Sequence, residues 1–300
     1  MDKIVNPKQV YTYDQMVHDI KELKNRYKGI QIEVIGKSVD SRNIYAIKLG
    51  DGDKEVMLNG AHHAREWLTS ALLMDMLEYY CSKSNSNSKM QELWNQVAIW
   101  IVPMVNPDGV TLVQKGPDNH HLERSIQEMN QQSTNYASWK ANIRGVDLNR
   151  QYPIDWDDIN DQVKKPAPAM YKGPKPLSEP ESKALYQFSL QHSFQSVACY
   201  HSSGNEIFWK YKIKEPLLSE ALALSEKLST LTGYQLIEPG HNPSGGGFTD
   251  WFLMTEKRPS FTIEIAPYIG PNPVPLSYYD QIWEENKEVG IFLAKACLNN

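Results

Sequence analysis

Apolar residues recur every three to four positions over residues 13–27, with Met16, Ile20 and Leu23 on one stripe, and this period predicts an amphipathic helix. Strands are predicted over 30–35, 44–49 and 56–58, followed by a helix over 66–81. The polar run SKSNSNSK after Cys81 reads as a surface loop. Residues 97–105 are almost wholly apolar, the pattern of a strand covered on both faces, and the NPDG turn at 106–109 stops it. The Pro-, Asp- and Asn-rich stretch 145–175 reads as a long irregular loop of the kind that often carries function. Ser178, with Glu181 three residues on, predicts a capping box and a helix to about residue 192. A strand over 196–200 ends at His201, a helix over 216–232 is stopped by Gly233, a strand runs over 260–265, and a helix over 278–298 closes the chain. Strands alternating with helices predict an α/β fold, a mixed sheet with helices on both faces, and no boundary divides residues 1–300 into two domains.

Composition narrows the function classes. The 300 residues are 41% hydrophobic and 22% charged, which is globular. A net charge of -5 argues against a broad basic face for nucleic acid. No run approaches the roughly 20 apolar residues that span a bilayer, so no membrane partner is expected. The amino terminus lacks the layout of a secretory signal, which favours a cytoplasmic location, with a processed cell-wall or spore-associated enzyme as the alternative. Cys81, Cys199 and Cys297 are odd in number and too widely spaced for a metal clip, so they are expected to be buried free thiols.

The segment NGAHHAREWLTS follows a predicted strand and opens a predicted helix, with His63 and Glu66 at the spacing H-x-x-E. Residues three apart on a helical turn lie on one side, so an imidazole and a carboxylate there reach one ion. A third ligand from elsewhere completes the two-His, one-Glu pattern of catalytic zinc, and His201, at a strand end, is the natural candidate. His62 competes with His63 for the same role, and an exposed pair in which Glu66 answers the helix dipole is the functionless alternative.

HAREW, VDLNR, a His after a strand and TIEI near the end occur in that order, and the chain resembles the zinc carboxypeptidases over nearly its whole length. YKGPKPLSEPES, VNPDG and SGGGFTDW fit the same resemblance, and TIEIAPYIGPNPVPLSYYDQIW is similar to the bacterial γ-D-glutamyl-diamino-acid endopeptidases of that family. The resemblance implies a mostly parallel, twisted sheet and one zinc per chain held by His63, Glu66 and His201, and it ranks His63 above His62. It implies that Asp147 orients His63, that Asn149 and Arg150 grip a substrate carboxylate, and that Glu264 is the general base. Arginine suits the grip because its planar fork pairs with a carboxylate in bidentate fashion. Arg144 is expected to polarise the scissile carbonyl, and Arg65 to position substrate or pack around the metal.

Two positions depart from the better-known carboxypeptidases. Those enzymes carry a mobile Tyr shortly before the SGG-type loop, where this sequence reads GHNPSGGGFTDW, with His241 or Asn242 in that neighbourhood. His241 either supplies the hydrogen bond of that Tyr or is an ordinary loop residue. The specificity position is Thr249, small and polar, which favours a zwitterionic side chain such as a diamino acid. The expected activity is hydrolysis of the γ-D-glutamyl bond to meso-diaminopimelate or Lys in peptide or muropeptide substrates. An ordinary carboxypeptidase is the alternative within the class, and a catalytically dead binder of wall peptides the rival outside it.

Overall fold

The structure, a computed structural model, describes residues 2–159, 162–240 and 243–298. One eight-stranded sheet organises it. In chain order the strands are β1 (Ile30–Lys37), β2 (Asn43–Leu49), β3 (Lys54–Gly60), β4 (Val97–Val102), β5 (Phe194–Ser202), β6 (Glu206–Phe208), β7 (Gln235–Ile237) and β8 (Ser260–Ile265). Their spatial order is β1-β2-β4-β3-β5-β8-β6-β7. The central strands β4, β3, β5 and β8 pair in parallel, β6 pairs with β7 in parallel, and the remaining neighbours are antiparallel. The sheet is therefore mixed and mostly parallel, as expected.

Helices cover both faces because each inner strand alternates its side chains between two cores. Val56 and Leu58 of β3 face one core together with α1 (Tyr13–Arg26), α2 (Leu68–Ser86), α3 (Ser88–Gln96), α7 (Leu217–Thr232), α9 (Tyr279–Asn286) and α10 (Val289–Ala296). Met57, between them, faces the other core with α6 (Pro180–Leu190) and α8 (Phe248–Thr255). All six residues of β4 are buried, as a strand covered on both faces requires. Two further helices, α4 (Pro107–Lys115) and α5 (Glu123–Met129), follow β4 and share a small core through Leu112 and Ile126 with Ala64 and Trp139.

Several expectations about local structure are corrected. SKSNSNSK is not a loop: α2 continues to Ser86, and Asn87 accepts a hydrogen bond from Lys89 N to start α3, whose Met90, Leu93 and Trp94 are buried. NPDG is a helix start, in which Asn106 Oδ1 accepts from Gly109 N at 3.0 Å and Pro107 takes the first helical position, where it lacks only a donor that would go unused. Ser178 is not the cap of α6. Pro180 sets the first helical turn and holds Glu179 extended, while Glu181 accepts from Val39 N instead of closing a capping box. The closing helix is two helices, because Gly290 N donates to Tyr80 Oη at the break. Among the described residues of 145–175 the one helical element is a short 3-10 turn at Leu148–Arg150. The short strands β6 and β7 and the helices α3, α5 and α8 were not anticipated.

Gly60, the last residue of β3, permits the close approach that shapes the site. A Cβ there would sit 2.9 Å from both Leu73 Cδ1 and Thr69 Oγ1 of α2. The strand therefore runs directly under the helix start, and Thr69 Oγ1 accepts from Ala61 N while donating to Glu66 O.

Candidate active site

The carboxyl ends of β3, β5 and β8 lie side by side, where open α/β sheets gather ligands. His63 and Glu66 follow β3, His201 stands near the end of β5, and Glu264 is the direct neighbour of His201 on β8. His63 Nδ1 is 2.8 Å from Glu66 Oε1 and 3.0 Å from His201 Nδ1, and His201 Nδ1 is 2.8 Å from Glu66 Oε2. All three residues are buried.

This donor set fits zinc. Two imidazole nitrogens and a carboxylate converge on one point, and bonds of about 2.0–2.1 Å in tetrahedral array call for donors roughly 3.3 Å apart. Only a few tenths of an ångström of outward relaxation separate the observed spacing from that one. His62 is excluded as the ligand. Its Nε2 meets Tyr152 Oη at 3.0 Å and its Nδ1 meets Cys199 Sγ at 3.3 Å, so neither nitrogen turns to the cluster.

Charge around the cluster is arranged for a cation. Burial alone would push the Glu66 carboxyl up, but His63 and His201 outweigh it and hold it well below the usual carboxylate range. Burial lowers both His201 and His62, which keeps their rings neutral, the form that ligates metal. Asp147 Oδ1 lies 3.2 Å from His63 Nε2, the position from which a carboxylate fixes the tautomer of a metal-binding His. Asp147 is fully buried, yet Lys140 above all, with His63 and Arg150, keeps it well below its ordinary value. Burial and then the charge of Glu66 push Glu264 up to about 8; Glu206 adds to this, while Lys140 and Arg65 oppose it.

Arg144 is not brought to this site. Its guanidinium stands 3.7 Å from Glu179 Oε2, half exposed, and it lines a surface cavity with Met129 and Lys165. The turn at Gly145, in the left-handed region, directs it there, and Arg144 N is held by Asn142 Oδ1. Lys140 is the basic side chain that stands at the cluster instead: its Nζ is 3.0 Å from Asp147 Oδ2, and its charge acts on Asp147, His201 and Glu264. A single Lys four residues before an Arg carries no signal that would have ranked it first.

Asn149 and Arg150 lie just before Tyr152, on one of two loops that pair through Tyr152 N to Gly246 O and Gly246 N to Ile154 O. Arg150 Nη1 donates to Ser244 Oγ at 3.0 Å, and Asn149 Oδ1 accepts from Phe248 N at 3.0 Å. With the acceptor end of Asn149 occupied, its amide nitrogen is the end available to an anion. Thr249 is buried, and its hydroxyl bonds Thr262 Oγ1 at 2.8 Å, two residues before Glu264 on the same face of β8. Arg65 donates to Ser138 O at 3.1 Å, and its charge reaches Glu264. His241 lies outside the described residues. The same loop pairing brings an unanticipated charge pair alongside. Asp155 Oδ2 accepts from Lys212 Nζ at 2.5 Å and from Tyr211 Oη at 2.7 Å, and its charge, after burial, pushes Asp250 up to about 7.

Comparison with known proteins agrees with this geometry. The family profile described as zinc carboxypeptidase matches residues 16–289. The chain is 38% identical to gamma-D-glutamyl-L-diamino acid endopeptidase 1 of Lysinibacillus sphaericus, over 97% of this chain and 74% of that one. Among solved structures, thrombin-activatable fibrinolysis inhibitor superposes with a TM-score of 0.77 at 20% identity, covering 99% of this chain and 77% of the other. The murein-tripeptide amidase MpaA of Escherichia coli O157 gives a TM-score of 0.54 at 20% identity, over 88% and 91%.

Proposed function

The chain belongs to the zinc carboxypeptidase family and is a zinc metallopeptidase, and on that premise we propose that it cleaves the γ-D-glutamyl bond to a diamino acid in peptidoglycan peptides. The observation that carries the reading is the charge pair Asp155–Lys212, whose Asp155 follows Ile154 on the loop paired with Gly246, two residues beyond the Ser244 that holds Arg150. The far end of meso-diaminopimelate bears one ammonium and one carboxylate. A zwitterion meeting an ion pair finds an opposite charge for each of its own, whereas a Lys side chain has no carboxylate to offer Lys212 and an apolar one gains no ionic contact while the pair stays closed on itself. The 38% identity to a γ-D-glutamyl-L-diamino acid endopeptidase supports the same substrate class.

The roles follow from placement. His63, Glu66 and His201 would hold the zinc, which when bound would supply Lewis acidity to the scissile carbonyl and to a water and whose charge would favour the ionised form of Glu264. The Glu264 carboxylate takes the proton of the attacking water and hands it to the leaving amine as the C–N bond breaks. The ammonium of Lys140 stabilises the negative charge that grows on the carbonyl oxygen. Asn149 and Arg150 hold the carboxylate next to the released amine and so fix the bond relative to the water. Asp147 keeps His63 in the tautomer that offers Nδ1.

The test is kcat/KM on L-Ala-γ-D-Glu-meso-diaminopimelate beside blocked Gly-Phe and blocked Gly-Lys. The γ-linked tripeptide is expected to be the best of the three, and Lys212→Met to narrow its lead over the L-Lys analogue. A blocked dipeptide that outperforms the tripeptide replaces this reading with an ordinary carboxypeptidase.

A further inference from the structure

Behind His201, on the side away from Glu66, lies a buried row of polar groups that the proposed chemistry does not use. His201 Nε2 is 3.2 Å from Cys199 Sγ, Cys199 Sγ is 3.3 Å from His62 Nδ1, and His62 Nε2 is 3.0 Å from Tyr152 Oη. Cys199, His62, Tyr152 and His201 are all essentially inaccessible to solvent. Cys199 stands two residues before His201 on β5 and therefore on the same face of the sheet. The His62 ring stacks against that of His201 at 5.7 Å and 25°. Asn106 Nδ2 holds the His62 carbonyl at 3.0 Å, so the row is anchored to the helix start after β4.

The hydrogen inventory of the row closes in one direction. A His that offers Nδ1 to a metal carries its proton on Nε2, and His201 Nε2–H points at the Cys199 sulfur. A thiol both accepts and donates, so Cys199 S–H passes on to the bare Nδ1 of His62. His62 then carries its proton on Nε2 and donates to the Tyr152 oxygen. Each imidazole nitrogen of the row and the thiol is then used once, with no net charge placed in the interior. The opposite tautomer of His201 would turn a bare Nε2 toward sulfur and a proton toward Glu66 and His63.

We propose that Cys199 is a positioning residue for the zinc ligand His201, the middle of a Tyr152–His62–Cys199 relay that fixes Nδ1 as the ligating atom. Partners of this kind on metal-bound His are usually carboxylates, backbone carbonyls or water. Here a thiol takes the part, and it draws a second histidine and a tyrosine behind it. The same atoms of His62, Cys199 and His201 lie close enough to hold a cation themselves. A metal there would need the Nε2 of a ring whose Nδ1 already serves zinc, which requires an imidazolate bridge.

Zinc affinity measured by chelator competition, and the visible absorption of the Co(II)-substituted protein, test the proposal in Cys199→Val, Cys199→Ser and Tyr152→Phe. Cys199→Val is expected to weaken zinc binding about 10–100-fold and to alter the Co(II) bands. Cys199→Ser, which keeps an acceptor and a donor, returns both toward wild type, and Tyr152→Phe shifts them as the Val variant does, by less. A folded Cys199→Val protein with wild-type affinity and spectrum overturns the proposal. So does a second zinc per chain that is lost in Cys199→Val while the first remains. If Cys199→Val does not fold, Tyr152→Phe decides, and unchanged affinity and bands there overturn the relay.

Discussion

Glu264 and Lys140 show how single side chains take their chemistry from their neighbours. Glu264 is the one ionisable residue of β8; burial and the charge of Glu66 raise its proton affinity, and its place beside His201 brings it to the metal cluster. Glu264→Gln is expected to keep the fold and bind zinc while kcat falls at least about 10²–10⁴-fold, read by steady-state kinetics beside metal analysis. Near-normal turnover with full zinc would remove Glu264 from the mechanism. Lys140 and Arg144 separate in the same way. Lys140→Ala should lower kcat/KM about 10²–10³-fold, the cost of losing one oxyanion donor. Arg144→Ala, which loses only a half-exposed contact to Glu179, should stay within a few-fold of wild type. The reverse order would restore Arg144 to the site.

At the scale of elements, the start of α6 carries a buried acid that responds to pH. Burial pushes Glu181 up to about 8, and the charges of Asp108 and Glu179 act in the same direction. The folded protein therefore keeps the Glu181 proton over a range in which the unfolded chain has lost it. Its contribution to stability is whole below the unfolded value near 4.5 and declines as pH rises toward 8, with a limiting slope of about 1.4 kcal/mol per pH unit. Glu181→Gln removes that decline, so the variant should gain on wild type between pH 5 and 8 in reversible denaturation at matched zinc. A difference that stays flat with pH would mean that Glu181 is ionised in the fold. The start of α2 makes a steric prediction. Gly60→Ala drives a methyl against Thr69 and Leu73 at 2.9 Å, and it should destabilise by about 1–3 kcal/mol while loosening zinc, because Thr69 also holds the carbonyl of Glu66.

For the whole molecule, a metal held by His63, Glu66 and His201 would tie the connection between β3 and α2 to the end of β5, so its loss should be felt globally. A ligand that binds only the folded state stabilises it by about 4 kcal/mol at a thousand times its Kd. Chelation should therefore lower Tm in wild type and Glu264→Gln alike, and should do little to His63→Ala, whose site is already broken. Equal Tm loss in His63→Ala would show that the chelator acts elsewhere, or that another residue holds the metal. No described helix is long and apolar enough to cross a membrane, and Cys81, Cys199 and Cys297 are buried and unbridged, so no disulfide shares in this stability.

The α/β alternation, the all-apolar β4 and the H-x-x-E beside a strand end were readable along the chain, because periodicity and short spacing are local properties. The choice of His63 over His62 was not readable from spacing. It depends on which nitrogens find Cys199 and Tyr152 behind the sheet, and those lie 137 and 90 residues away. Lys140 stands beside Asp147 while Arg144 reaches Glu179, because a left-handed turn at Gly145 sends that side chain outward, and no motif spacing encodes that direction. The pairing of Asp155 with Lys212 joins loops 57 residues apart. Helix boundaries failed where a capping Asn or a Pro decided the first turn, since the same residues also build loops. Sequence alone determined which chemical groups were present and on which kinds of element they sat. Tertiary structure decided which of them share one low-dielectric space, because convergence of charges and lone pairs depends on distances between segments that are remote along the chain.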